Sequence, residues 1–257
     1  MRIELATQPG DPGRPNEDFA SVAVPASGAG GALVLLDGVT PPPDGVTGCV
    51  HTVAWFTARL GGALLELAVS QRELTLEQCL SEAIARTAQA HGEGCDLSHR
   101  RTPQATVVVA RWDEQRVEHL VLSDSVLLIE GVDGSVAAVL DDRIAQLAAV
   151  ERVTDARRNA EGGFFTAAAD PAAAARAVTG STARTDVRAL AALTDGAARW
   201  VEVFRAGGWA QCLAVLAKEG PQALVDRVRS AELADPERRA FRRGKTHDDA
   251  AVLYAEL

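Results

Sequence analysis

The sequence predicts an α+β fold with mainly antiparallel strands, on two observations. Apolar runs of strand length, rich in Val and Leu, outnumber the stretches with helical periodicity. In the middle of the chain those runs follow one another after short polar breaks. Such spacing describes an antiparallel meander rather than a β-α-β repeat. Strands and helices of this kind pack as layers. We find no internal repeat and no linker that splits the chain, so residues 1–257 are read as a single domain.

Each element has its own signal. Phe19 to Val24 is a short strand, and Ala26 to Gly31 is a Gly/Ala/Ser turn. Ala32 to Leu36 is a continuous apolar run, as a buried strand gives, and ends at Asp37-Gly38. Pro41-Pro42-Pro43-Asp44-Gly45 forbids regular structure and predicts a loop. Val50, Val53, Phe56, Leu60, Leu64 and Leu67 keep helical spacing. Thr75, with Gln78 three residues on, predicts a capping box for a second helix that stops at Gly92-Glu93-Gly94. Ala105–Arg111, Val117–Leu122, Val126–Glu130 and Val136–Leu140 are strands, with Asp133-Gly134 suited to a hairpin turn. Asp142–Val150 and Pro171–Val178 read as helices, and the Ala/Arg-rich stretch between them fits no regular element. Val187–Leu193 is a strand, Ala197–Arg239 is helical with breaks near Gly207 and Gly220, and Ala250–Leu257 is a last strand.

Composition narrows the function. The chain is 47% hydrophobic, enough for a substantial core, and only 4% aromatic, so that core is Ala, Val and Leu. A net charge of -9 repels nucleic acid and anionic membranes. No apolar run approaches the roughly 20 residues of a membrane span. The four cysteines, Cys49, Cys79, Cys95 and Cys212, have no Cys-x-x-Cys spacing, and the histidines show no ligand clustering, so neither a zinc site nor a redox motif is expected. Scattered thiols and the absence of a signal-peptide pattern in Met1–Gly10 predict a cytoplasmic protein.

Four acidic motifs sit at the edges of apolar runs: Asn16-Glu17-Asp18, Asp37-Gly38, Thr194-Asp195-Gly196 and His247-Asp248-Asp249. Carboxylates beside buried strands call for a compensating cation. In an antiparallel pair a strand start lies beside a strand end, so Asp37, Asp195 and Asp248 are expected to meet at one rim of a sheet and hold hard divalent ions. Two such ions about 4 Å apart lower the pKa of a bound water and clamp an in-line displacement at phosphorus.

The order of these pieces resembles the metal-dependent PP2C-type protein phosphatases, the PPM family, over nearly the whole chain from Arg14 to Val252, in the manner of a divergent bacterial member. Arg14-Pro15-Asn16-Glu17-Asp18 looks like the family's opening pattern. Asp37-Gly38, Ala105-Thr106-Val107-Val108, Ser123-Asp124-Ser125, Thr194-Asp195-Gly196 and Asp248-Asp249-Ala250-Ala251 are similar to its later motifs. The resemblance implies a four-layer α-β-β-α sandwich, two mainly antiparallel central sheets flanked by helices, with two Mn2+ or Mg2+ ions at one end. It further implies that Asp37 bridges both ions as the catalytic aspartate. Asp195 and Asp248 would hold one ion, the Gly38 carbonyl would contact the other, and Asp18 with Glu17 would bind metal-coordinated water. Asp124 resembles a ligand of a third, weaker ion seen in some members, and Arg14 resembles the arginine that grips the substrate phosphate. The implied activity is hydrolysis of phosphoserine or phosphothreonine on a phosphorylated protein, by a monomer.

The chain also departs from the family. Asp37-Gly38 is followed by Val39-Thr40 and prolines instead of a glycine pair, so this loop must run differently. A histidine found there in some members is Val39, Ser123 replaces a glycine, Val126 an arginine, and Ala251 a threonine. These departures keep a second reading open, a PP2C-fold regulatory binding protein with weak or no activity. An aspartate-nucleophile phosphatase would want a second acid two residues after the first, and position 39 is Val.

Overall fold

The computed structural model describes residues 1–26, 28, 30–41 and 45–257. Much of the expected Pro41–Gly45 loop and part of the Ala26–Gly31 turn lie outside them. In chain order the strands are β1 (Arg2–Gln8), β2 (Phe19–Ala23), β3 (Gly31–Leu36), β4 (Val107–Trp112), β5 (Arg116–Leu122), β6 (Val126–Gly131), β7 (Val136–Val139), β8 (Val178–Ala183), β9 (Val187–Leu193) and β10 (Ala250–Glu256). The helices are α1 (Val53–Ser70), α2 (Leu76–Gln89), α3 (Arg143–Val150), α4 (Asp195–Glu202), α5 (Trp209–Glu219) and α6 (Pro221–Ala234). Two five-stranded sheets form, with orders β1-β10-β9-β6-β7 and β2-β3-β4-β5-β8, and every pairing is antiparallel.

The period of two along each strand builds the layers. In β3, Leu33 and Leu35 face the other sheet, while Ala32, Val34 and Leu36 face α1 and α2. In β10, Ala251, Leu253 and Ala255 face the first sheet's partner, and Ala250, Val252 and Tyr254 face α4, α5 and α6. The result is the α-β-β-α stack. Because both faces of the central strands are covered, β3, β4 and most of β9 are wholly buried and read as unbroken apolar runs rather than alternating ones. By length and composition α1 would suit a membrane span, but Phe56, Leu60, Leu64 and Leu67 pack it against the second sheet.

The capping box forms as expected: Thr75 accepts from the Gln78 amide, and the Gln78 side chain accepts from the Thr75 amide. Other expectations need correction. The predicted meander is split, because β4 and β5 pair in one sheet and β6 and β7 in the other. The chain crosses between sheets at Ser123–Ser125, where Ser123 takes φ +70°. The helix expected at Pro171–Val178 is a 3-10 turn over Pro171–Arg176 that gives way to β8, a largely exposed edge strand. The last helical stretch stops at Ala234 rather than Arg239. There the Asp235 carboxylate accepts from the amides of Arg239, Ala240 and Phe241 and wraps the chain away from the helix.

Candidate active site at the strand ends

Sheet register brings the acidic motifs together. Phe19 pairs with Leu36, which sets Asp18 at the start of β2 beside Asp37 at the end of β3. Val252 pairs with Leu193, which sets Asp248 ahead of β10 beside Asp195 at the end of β9. The expectation of one sheet rim therefore becomes two rims, one from each sheet, meeting at the same end of the sandwich. Asp195 and Asp37 touch across them, the Asp195 amide lying 3.4 Å from Asp37 Oδ2. Asp124 joins from the crossover between β5 and β6. Asp37, Gly38, Asp124, Asp195 and Asp248 line a cleft of about 370 Å³ together with Arg158, Arg199 and Lys245.

Neighbouring residues fix these carboxylates. The Asp37 amide donates to Thr106 Oγ1 (3.1 Å), which is bonded to Ser125 Oγ (2.6 Å), so a buried hydroxyl chain sets the end of β3. Thr194 Oγ1 donates to Asp18 Oδ2 (2.9 Å). Asp249 accepts from the amides of Gly10 and Glu17 and pins the segment that carries Asp18. Two glycines are required by close approach: a Cβ at Gly38 would strike the Glu17 carbonyl, and one at Gly196 would strike the Asp249 carbonyl.

The charge balance is uneven. Asp248 is fully engaged, with Arg199 Nη2 on Oδ2 at 2.8 Å and Lys245 Nζ on Oδ1 at 2.7 Å. Arg199 is held in turn by Glu232, a fully buried carboxylate that also meets Arg229 and His247. Among the described residues Asp18, Asp37 and Asp195 have no such partner. Burial pushes the Asp37 carboxyl well above its ordinary range, and Asp195, Asp18 and Asp124 push it further. Burial does the same to Asp18, against the opposing Thr194 hydrogen bond, and Asp249, Asp195 and Asp248 add to the rise. Asp195 is raised to about 6 by burial, Asp248 and Asp124. Asp124 is raised by burial, with Arg158 among the groups opposing it. One buried oxygen, Asp18 Oδ1, has no hydrogen-bond partner among the described residues.

The remaining expected residues lie at the margin. The Glu17 carboxylate accepts from Thr40 Oγ1 (2.6 Å), which also receives Lys245 Nζ. Arg14 does not line the main cleft. It sits with Glu17 in a smaller depression that shares Thr40, Lys245 and Asp248 with it. Sequence reasoning missed Arg158, which faces the cleft over the Phe164 ring with Nε unpartnered, its charge disfavoured by burial and supported by Asp155 and Asp124. It also missed Arg199 and Lys245. One further expectation is overturned: Cys49, His51, His91 and Cys95 do cluster. They form two pairs some forty residues apart, so no contiguous motif announced them.

The fold and site define a class of protein: an α-β-β-α sandwich with a buried, oxygen-lined acidic cleft where the strand ends of its two sheets converge. A family model for protein phosphatase 2C matches residues 11–233, and the chain belongs to that family. Solved structures agree on the fold. The serine/threonine phosphatase of S. agalactiae is 14% identical, with TM-score 0.63 over 100% of this chain and 99% of that one. Staphylococcus aureus Stp1 is 14% identical, with TM-score 0.60 over 99% and 94%. The catalytic domain of PstP, solved with two manganese ions, is 18% identical, with TM-score 0.59 over 99% and 97%. No curated protein sequence matches.

Proposed function

We propose that the chain is a metal-dependent phosphoserine/phosphothreonine protein phosphatase. The observation that carries this reading is a set of buried carboxylates with too few cations, including an orphaned oxygen on Asp18. Such a set fits hard divalent ions, because all its donors are oxygens and an ion would relieve both burial and mutual repulsion. Asp37, Asp195 and Asp124, with Asp18 and the Gly38 carbonyl, would hold Mn2+ or Mg2+. Asp248 joins them if Lys245 releases Oδ1, and Glu17 stands behind through Thr40. When bound, the ions supply an activated water and neutralise charge on the phosphoryl oxygens.

The chain's own side chains do the rest. Thr106 and Ser125 orient the Asp37 backbone, and Thr194 orients Asp18. Arg158 is better placed than Arg14 to grip the substrate phosphate, because it lines the main cleft and Arg14 does not. Phosphorylated proteins are the proposed substrates, and the family supports that choice. We further place the chain in the cytoplasm, for which reduced thiols are the expected state, and propose that it acts as a monomer.

The test is phosphate release from a phosphothreonine peptide with Mn2+ present or chelated. We expect turnover that needs the metal and falls about a thousandfold, ~4 kcal/mol, in Asp37→Asn. Turnover indifferent to chelation, or full activity in Asp37→Asn, would overturn the proposal.

A further inference from the structure

On the helix side of the second sheet lies a cluster that the phosphatase reading does not use. Cys49, His51, His91 and Cys95 bring two thiols and two imidazole nitrogens within 4.8 Å of one another. Among the described residues no other group of three or more such side chains converges in this way. Cys49 and His51 lie just ahead of α1, and His91 and Cys95 just behind α2. The two helices double back through a short connection, so the first pair and the second meet at the same end.

The spacing is that of a coordination sphere. Cys49 Sγ lies 3.6 Å from His51 Nδ1 and 3.3 Å from His91 Nδ1, and Cys95 Sγ lies 3.4 Å from His51 Nδ1. A tetrahedral Zn2+ with bonds of about 2.3 Å to sulfur and about 2.0 Å to nitrogen needs S···N edges of about 3.5 Å. The two sulfurs are 3.2 Å apart and would open by about half an ångström to reach the edge such bonds require. The donor set, two sulfurs and two imidazoles, is soft where the cleft is hard, and it selects zinc over magnesium or manganese. Trp55 closes the site, stacking on His51 at 3.9 Å and meeting His91 edge-on at 4.9 Å. A disulfide between the cysteines would leave both imidazoles without a task, whereas a metal engages all four groups.

We propose that Cys49, His51, His91 and Cys95 form a structural Zn2+ site that ties the start of α1 to the end of α2. Its second effect is on the segment that replaces the family's glycine pair. That segment leaves the cleft at Gly38 and is already fastened at both ends to the chain following α2. The Val39 amide donates to the Gln104 carbonyl (2.9 Å), and the Asp96 amide donates to the Gly48 carbonyl (2.7 Å). Zinc at Cys49 and Cys95 clamps this same junction, one residue after Gly48 and one residue before Asp96.

The test is elemental analysis of the full chain, purified from a reducing host and dialysed against a carboxylate chelator too weak to strip a thiolate site. We expect one zinc per chain, kept in Asp37→Asn and lost in Cys95→Ser and in His91→Ala. Cobalt added to the stripped protein is expected to give thiolate charge-transfer bands and the strong visible absorption of a tetrahedral ion. Should Cys95→Ser not fold, the native chain is titrated with a thiol-blocking mercurial beside a colorimetric zinc chelator. Zinc should then appear in step with modification of Cys49 and Cys95. Zinc lost in Asp37→Asn but kept in Cys95→Ser, a chain free of zinc with both thiols freely reactive, or a Cys49–Cys95 disulfide in the purified protein would each overturn the proposal. The zinc readout does not depend on phosphatase activity, so failure here and failure of the catalytic reading are separable.

Discussion

The strand-end cleft and the helix-end Cys/His cluster solve opposite problems of charge. The cleft buries carboxylates that repel one another, and protein cations satisfy only some of them: Asp248 has Arg199 and Lys245, while Asp18, Asp37 and Asp195 pair with none among the described residues. The Cys/His cluster instead crowds two thiols and two imidazoles already in contact with one another, and metal binding would displace the thiol protons. Burying like charges without relief costs more than burying hydrogen-bonded polar groups. Metal loss should therefore act differently on the two. Emptying the cleft leaves repelling anions inside an intact sandwich, whereas emptying the other site leaves a slack junction between α1, α2 and the segment after Gly38.

The largest effect that would sharpen this contrast concerns Arg199, the cation that joins the cleft to the buried Glu232. The side chains of Arg199 and Glu232 are 6% and 0% exposed, so removing one strands the other. Arg199→Met is expected to cost about 3 kcal/mol of stability in urea unfolding, the low end for a broken buried pair because Arg229 still meets Glu232. The double variant Arg199→Met/Glu232→Leu should recover only part of that stability, since Arg229 then loses its carboxylate, and should not restore turnover, because Asp248 would still lack its anchor. Equal recovery of both would mean that Arg199 serves only the core.

Next in size is Arg158. If its guanidinium receives the substrate phosphate, Arg158→Ala should raise KM about tenfold to a hundredfold, ~1.5–3 kcal/mol, with a smaller change in kcat. Arg158→Lys should not restore it, since an ammonium cannot offer the guanidinium fork. The same KM in Arg158→Ala, with a raised KM in Arg14→Ala, would return the phosphate-gripping role to the residue the sequence first suggested.

These residues also mark how far the chain could be read. Asp37, Asp195 and Asp248 were legible because each abuts a contiguous apolar run, and sheet register then does what the run implies. That strands and helices form layers was legible from their pattern, but the four-layer order was legible only through family resemblance, since fully buried strands lose the alternation that would assign their faces. β1 and β8 were missed because both are edge strands with much exposed surface. Arg2-Ile3-Glu4-Leu5 mixes charge into one, and Thr179-Gly180-Ser181-Thr182 is nearly all polar in the other. Arg158 lies in a stretch without periodicity, so its contact with the cleft is a purely tertiary fact. The Cys/His pairs were passed over because the two halves are separated by both helices that bring them together.

A smaller effect tests whether the cleft's excess charge is real. Glu202, on α4, has an exposed side chain whose carboxyl, lying beside the acidic cleft, is raised to about 7 by partial desolvation, Asp124 and Asp195. A carboxyl raised in the folded state binds more protons there than in the unfolded chain. Its contribution is therefore present below the ordinary pKa of about 4.5 and is lost as pH rises through about 7. In metal-free protein, Glu202→Gln should be more stable than the parent above pH 7 and should lose that advantage below about pH 4.5. Added Mn2+ should shrink the difference, because an ion on Asp195 and Asp124 removes the repulsion that raises Glu202. A difference that neither pH nor metal changes would mean the carboxylates beneath α4 are already balanced.

The smallest effect separates a built-in cation from a bound one. Lys245 is held at Asp248 Oδ1 and Thr40 Oγ1; burial opposes its charge, but Asp248, Asp195 and Asp37 outweigh that and raise its pKa. An ammonium in that place competes with any ion that would use Asp248. Lys245→Met should therefore tighten Mn2+ binding severalfold in calorimetry, by up to about 1 kcal/mol for a partly exposed pair. If binding weakens instead, the ammonium is helping to hold Asp248 and Thr40 in position for the ion, and the cleft keeps one of its cations as a permanent side chain.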